Sequence, residues 1–317
     1  MRANPTRRRF IGISAAAAGL AILPFGLPAQ AHTQAEAVRW RGRALGAPAE
    51  LIVHHHDRAQ GERLVARAAT EIARLERVFS LYMPDSALST LNRQGALASP
   101  PPELVEVLET SRRVWDLSDG AFDPTIQPLW LAYADHFAKP GADPAGPSPD
   151  AVERALALVG LDKVSFNRDR VAFAQAGMAL TLNGIAQGFI TDRIVEMLRA
   201  GGVESTLADI GEIRALGRRP DGSPWRVGIA GGGDSVDLVD RAIATSSADG
   251  FRFGGKDSPG HILDPRSGMA ECLHRSVSVL APEAATADAL ATAFCLMTGA
   301  RIAEVLPALP DVEALIS

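Results

Sequence analysis

Thr286-Ala287-Asp288-Ala289-Leu290-Ala291-Thr292-Ala293 lies in a helix-forming stretch from about 284 to 298, after a run from Ser205 to Leu280 in which strands dominate. That order decides the fold class. Strands and helices are segregated along the chain, whereas a doubly wound sheet needs strict alternation, so the chain reads as α+β. The same stretch carries chemistry. In a helix, Asp288 and Thr292 sit one turn apart on one face. Such a pair of hard oxygen ligands suits Mg²⁺. Upstream, His261-Ile262-Leu263-Asp264-Pro265-Arg266-Ser267-Gly268 ends in a tight polar turn. A turn next to an oxygen-ligand helix points to phosphoanhydride chemistry.

Working outward, residues 38–57 alternate and read as a strand or hairpin. Leu64, Ala68, Ile72, Leu75 and Phe79 recur at helical spacing and predict an amphipathic helix over about 60–79. A short helical piece follows over 86–92, then a helix with Leu104, Val107, Leu108, Ser111 and Trp115 on one face, stopping near Ser118-Asp119-Gly120. Residues 139–149 are rich in Pro and Gly and form a loop. Ser148-Pro149-Asp150 predicts a helix start with a capping hydroxyl. Short strands are expected between Val164 and Leu182, a helix over about 184–199 ending at Gly201-Gly202, and a short helix and strand at the C-terminus.

The first 31 residues read as a targeting segment. Thr6-Arg7-Arg8-Arg9-Phe10-Ile11 has the twin-arginine form, an apolar run continues to Leu27, and Ala29-Gln30-Ala31 has a small-x-small cleavage pattern. Export to the periplasm is the expectation, with residues 32–317 as the mature domain. Removing the segment leaves 28 basic against 37 acidic residues, a charge of −9. With no basic field and 5% aromatic residues, nucleic acid is not an expected partner. Cys272 and Cys295 leave a disulfide open, with a buried inert thiol the simpler expectation for Cys295.

Four further segments invite a functional reading. Tyr82, after a helix and before a proline turn, is either a surface tyrosine or an aromatic wall for a flat ring. Ser118-Asp119-Gly120-Ala121-Phe122-Asp123-Pro124-Thr125 is either a plain turn or a small-molecule loop. Thr181-Leu182-Asn183-Gly184-Ile185-Ala186-Gln187-Gly188-Phe189 runs from strand to helix through a glycine, where free N–H groups can hold phosphate, although it is neither a GxGxxG fingerprint nor a P-loop. His54-His55-His56 resembles a metal cluster, but on a strand only His54 and His56 share a face. Gly231-Gly232-Gly233 reads as a hairpin tip.

Six segments taken in order resemble the ApbE family, the FAD:protein FMN transferases: FSLYMPDSALSTLN (79–92), SDGAFDPTIQPL (118–129), LNGIAQGFITDR (182–193), ADIGEIRALG (208–217), HILDPRSG (261–268) and ATADALATA (285–293). The resemblance implies a bilobal α+β fold, with mixed or antiparallel sheets flanked by helices and the active site between lobes. It implies FAD as substrate, Mg²⁺ as cofactor, and transfer of FMN onto a Thr or Ser hydroxyl of a partner redox protein, periplasmic or membrane-bound, with release of AMP. By position it implies FAD contacts at Leu45, Tyr82, Ala121, Phe122, Asp123, Thr181, Gln187 and Leu263, and metal ligands at Gly184, Asp288 and Thr292. Many members carry an acid at the position of Thr181 and a Lys or Glu at that of Gln187. The variant loop, with the twin-arginine signal, is similar to the NosX type linked to nitrous-oxide reduction. His261 is the candidate general base, the alternative being that it only braces the Asp264-Pro265 turn. Two alternatives keep the fold: an Mg²⁺-dependent FAD pyrophosphatase, and a flavin-binding protein without enzymatic activity.

Overall fold

The computed structural model describes residues 37–229, 234–255 and 258–317. The targeting segment and Gly231–Gly233, read from the sequence as a hairpin tip, lie outside the described residues. In chain order the strands are β1 (Val38–Ala44), β2 (Ala47–His54), β3 (Ala96–Ala98), β4 (Val164–Phe166), β5 (Arg170–Phe173), β6 (Ser205–Asp209), β7 (Ile213–Leu216), β8 (Trp225–Gly228), β9 (Ser235–Leu238), β10 (Ala242–Ser247), β11 (Ser276–Ala281) and β12 (Glu313–Ile316). The helices are α1 (Arg58–Phe79), α2 (Ala87–Gln94), α3 (Pro102–Leu117), α4 (Gln127–Phe137), α5 (Pro149–Leu156), α6 (Ala186–Ala200), α7 (Ala284–Cys295) and α8 (Gly299–Val305).

One seven-stranded sheet, in the order β1-β2-β6-β7-β10-β11-β12, is antiparallel at every pairing. A three-stranded sheet (β3-β5-β4) and the β8–β9 hairpin complete an α+β fold, as the segregated pattern predicts. Both faces of the large sheet are buried, because neighbouring residues of a strand point to opposite sides. Leu51 and Val53 join Ala208, Ala244, Val277 and Val279 in the main core. Ile52, Leu207, Ile243 and Leu280 instead pack with Trp225, Val227 and Leu238 of the small hairpin. The α1 stripe of Leu64, Ala68, Ile72, Leu75 and Phe79 is buried in the main core, and the Asp57 carboxylate caps that helix on the Gln60 N–H at 3.1 Å. A third cluster gathers Leu129 and Tyr133 of α4, Ala155 of α5, Phe253 and Leu263.

Helix α7 is apolar on nearly all sides and buried along most of its length, as such a helix must be. Its alanines let α6 approach closely. A Cβ at Gly188 would stand 2.3 Å from the Ala284 carbonyl oxygen and 2.7 Å from the Ala285 nitrogen. The two helices meet N-terminus to N-terminus and cap each other. Asp192 of α6 accepts the N–H groups of Ala284 (2.8 Å) and Ala285 (2.9 Å), and Asp288 of α7 accepts the N–H of Gly188 (3.2 Å). Each carboxylate thus satisfies donors that a helix start leaves unpaired and faces the positive end of a helix dipole.

Three sequence expectations are corrected. Ser148 occupies the N-cap of α5 with extended backbone, but its hydroxyl makes no capping bond. No element was assigned between Thr125 and Ala138, yet α4 fills most of that span; Leu129, Trp130, Leu131, Ala132, Tyr133 and Ala134 run together without a clear polar face. Strand β2 ends at His54, so strand alternation does not reach His56, and the His55 and His56 rings stack at 4.3 Å. Among the described residues no group of three His, Cys, Asp or Glu side chains is arranged to hold a metal.

Gly188→Ala drives a methyl group into the backbone of α7 and is expected to destabilise the protein by about 2–3 kcal/mol. Urea denaturation monitored by circular dichroism measures this; a loss under about 0.5 kcal/mol would show that the helices need no such approach.

Candidate active site

A cleft of about 940 Å³ opens between the main core and the α4–α5 cluster, at the upper end of the size range of small-molecule sites. All twelve candidate residues line it: Leu45, Tyr82, Ala121, Phe122, Asp123, Thr181, Gly184, Gln187, His261, Leu263, Asp288 and Thr292. They come from elements far apart in sequence, and each is delivered by a local device.

Leu45 sits at the tip of the β1–β2 hairpin with φ 48°, followed by Gly46 at φ 87°. Positive φ at both turn residues matches the twist of the flanking strands, but it is an uncommon, strained state for a leucine. The Glu76 carboxylate on α1 holds the turn by accepting the Leu45 N–H at 2.6 Å. Tyr82 lies at the rim, 42% exposed. Phe122 is buried, its N–H bonded to the Ser118 hydroxyl at 3.1 Å. Asp123 lines the cleft, but its carboxylate is occupied by its own loop and by two more distant segments. It accepts the Thr125 N–H (2.8 Å) and hydroxyl (2.5 Å), the Trp115 indole N–H (2.9 Å) and the Leu161 N–H (3.0 Å). Asp123 therefore builds the wall and has little left to offer a ligand.

Thr181 is anchored by its N–H to the Pro124 carbonyl at 2.7 Å, and its hydroxyl accepts the Asn183 N–H at 3.3 Å. The turn 183–185 leads into α6 and brings Gly184 against α7. A Cβ on Gly184 would stand 3.0 Å from Thr292 Oγ1 and 3.4 Å from the Phe122 ring, so glycine leaves room there. Thr292 Oγ1 is 3.2 Å from the Ser246 hydroxyl at the end of β10. Gln187 is buried, and its Nε2 has no partner. It packs under Gly211, where φ is +95° and an added Cβ would stand 2.2 Å from that nitrogen. Orphaned buried donors are costly, and this one lies in a ligand-sized cleft.

Two acids dominate the electrostatics. Asp288 is 5% exposed, and burial pushes its carboxyl up to about 7, the Asp192 charge adding to the shift while the Gly188 N–H opposes it. Glu212, just before the start of β7, also lines the cleft. Burial, then the charges of Asp288 and Asp209, raise its carboxyl well above the usual range, against a hydrogen bond from the Thr245 N–H. Burial also lifts Asp209 to about 6. No cation counters the Asp288–Glu212 pair among the described residues. Buried like charges favour protonation or a bound cation. Beside them stand the Thr292 hydroxyl and the Gly184 backbone, so the donor set is all oxygen and fits a hard divalent ion. Glu212 lies in ADIGEIRALG, one of the six segments that resemble the ApbE family, and is a site residue that the sequence reading missed. Its signal was an acid directly before a strand whose four residues are all buried (Ile213–Leu216).

His261 Nδ1 is 3.1 Å from the Phe251 carbonyl oxygen. A carbonyl only accepts, so Nδ1 carries the proton and Nε2 keeps its lone pair. Burial lowers the imidazole pKa below 6.5, against the effect of the Phe251 bond, so the ring is neutral at pH 7.

A sequence model described as the ApbE family matches residues 45–316. The chain is 33% identical over 282 residues to an FAD:protein FMN transferase of Treponema pallidum, covering 78% of this chain and 74% of that protein. The apo crystal structure of the Pseudomonas stutzeri flavinyl transferase ApbE superposes with a TM-score of 0.76 at 28% identity, over 90% of this chain and 94% of that one. The Vibrio cholerae flavin transferase ApbE gives 0.76 at 26%, over 89% and 93%.

Carboxyls with raised folded-state pKa values bind more protons folded than unfolded, so stability present in acid is lost as pH rises from about 4 through the folded values. With Asp209 at about 6, Asp288 at about 7 and Glu212 also raised, the metal-free protein is expected to melt higher at pH 5.5 than at pH 8. Glu212→Gln should shrink that difference. Melting curves in EDTA check both; a wild-type melting temperature that rises between the two pH values contradicts the charge assignment.

Proposed function

The chain belongs to the ApbE family, and from that premise we propose how its cleft works. It is a transferase that moves FMN from FAD to protein. In our reading Asp288, Thr292 and the Gly184 carbonyl hold Mg²⁺, with Glu212 adding negative charge behind them. When bound, Mg²⁺ supplies Lewis-acid neutralisation of the FAD pyrophosphate.

The chain's own residues do the rest. Leu45, Tyr82 and Phe122 provide apolar walls for the flavin, with Ala121 and Leu263 closing the sides. Gln187 Nε2 donates to an acceptor atom of FAD, and the Thr181 hydroxyl supplies a second uncharged polar contact. His261 Nε2 accepts the proton of a Thr or Ser hydroxyl on the partner protein as that oxygen attacks the FMN phosphorus. The new O–P bond replaces the pyrophosphate bond, and AMP leaves. The observation that carries this reading is that a neutral imidazole, with its tautomer set by Phe251, shares one cleft with the Asp288–Thr292 pair. The acceptor is a redox protein of the periplasm or its membrane face, a flavoprotein of nitrous-oxide reduction among them; the twin-arginine pattern supports that location.

Mass spectrometry of a Thr-containing acceptor protein tests the scheme. With FAD and Mg²⁺ the acceptor should gain one FMN, and EDTA should stop the gain. Asp288→Ala should abolish transfer and the Mg²⁺-induced rise in melting temperature together; a variant that keeps both removes Asp288 from the metal site. His261→Gln should lower kcat by roughly 10²–10⁴ with FAD affinity preserved. The wild-type rate should fall in acid with an apparent pKa below 6.5. Rapid AMP release from FAD without acceptor would favour the pyrophosphatase.

A further inference from the structure

We propose that Cys272 and Cys295 are a redox-active pair, which exchange with an external disulfide closes into a bond tying the segment after the active-site turn to the C-terminal end of α7. This inference stands apart from the proposed mechanism. The two thiols are unbridged, and each is the largest influence on the other's ionisation. Three bonds hold the segment on the helix end around them. The Leu273 N–H meets the Cys295 carbonyl at 2.8 Å, His274 Nε2 the Met297 carbonyl at 2.8 Å, and the Arg266 guanidinium the Leu296 carbonyl at 2.8 Å. The backbone next to Cys272 is therefore bonded directly to that of Cys295, which keeps small the backbone movement that decides whether two cysteines bridge.

The two thiols differ in a way that assigns their roles. Cys272 is half-buried, and the hydrogen bond from Cys295, aided by Arg252, lowers its pKa. Cys295 is buried, and its Sγ also approaches the Ser246 carbonyl at 3.6 Å. Cys272 is the attacking thiolate. It bonds to one sulfur of a small disulfide such as oxidised glutathione, whose other sulfur leaves as a thiolate. Cys295 gives its proton to solvent and displaces the remaining glutathione from Cys272. The protein loses two electrons and two protons, and the oxidant becomes two thiols. The bond then sits one turn beyond Thr292, whose Oγ1 meets the Ser246 hydroxyl, so it braces the cation-binding end of the cleft.

The experiment uses the full chain in oxidised and reduced glutathione, followed by thiol titration in denaturant, peptide mass mapping and melting. Oxidation should remove both free thiols, yield one Cys272–Cys295 cross-linked peptide, and raise the melting temperature by about 5 °C, reversibly with dithiothreitol. Cys272→Ser and Cys295→Ala should each abolish the shift, and reduced Cys272→Ser should transfer FMN at the wild-type rate. Two thiols still titrating, a glutathione adduct left on Cys272, a cross-linked dimer, or a bridge that leaves the melting temperature unchanged would each overturn the proposal.

Discussion

Two helix starts share each other's carboxylates, and the site follows from that exchange. Asp192 satisfies the first N–H groups of α7, and Asp288 satisfies one at the start of α6. Glu283, at the N-cap position of α7, makes no capping bond, so the cap comes from another helix altogether. The arrangement needs backbone-to-backbone contact, which Gly188 and the alanines of α7 permit. It also brings Gly184 next to Thr292, uniting the turn before α6, which no strand directly precedes although the sequence suggests one, with a helix a hundred residues later. A carboxylate used in capping is at the same time a carboxylate of the cleft.

That dual use leaves charge uncompensated. Asp288 and Glu212 lie buried in the same cleft with no cationic side chain against them among the described residues. A well-packed core would not keep such a pair for stability; it is spent on binding. In the reading proposed above, a cation held between the two carboxylates would let an anionic pyrophosphate settle beside them. The neutral His261 fits this balance, since an imidazolium would be drawn to the acids and could accept no proton.

Much of this was legible along the chain, and the residues show why. The i, i+4 relation of Asp288 and Thr292 is a property of any helix, so the pair was readable before the fold was known. The α1 stripe was readable for the same reason. Helix α4 escaped because its long apolar run lacks a contrasting polar face. Asp123 looked like a ligand contact, but its carboxylate is saturated by Thr125, Trp115 and Leu161. Those partners span the loop, α3 and a later turn, and no local pattern announces them. Glu212 is illegible in the sequence because one acid at a strand's edge usually faces water; only the packing of α6 over β7 and of α7 over β10 and β11 makes it a buried neighbour of Asp288.

By itself, the sequence determined the class of fold, the main helices and hairpins and the Asp288–Thr292 pair, and its resemblance to the ApbE family pointed to the other candidate residues that meet in the cleft. Periodicity, turn chemistry and segment order act over a few residues and survive in one dimension. Tertiary structure alone decided which face of each strand meets which core, which carboxylates are spent as caps and which stay free, the tautomer of His261, and the apposition of Cys272 and Cys295. These depend on distances between segments far apart along the chain, where desolvation and like-charge repulsion act through space.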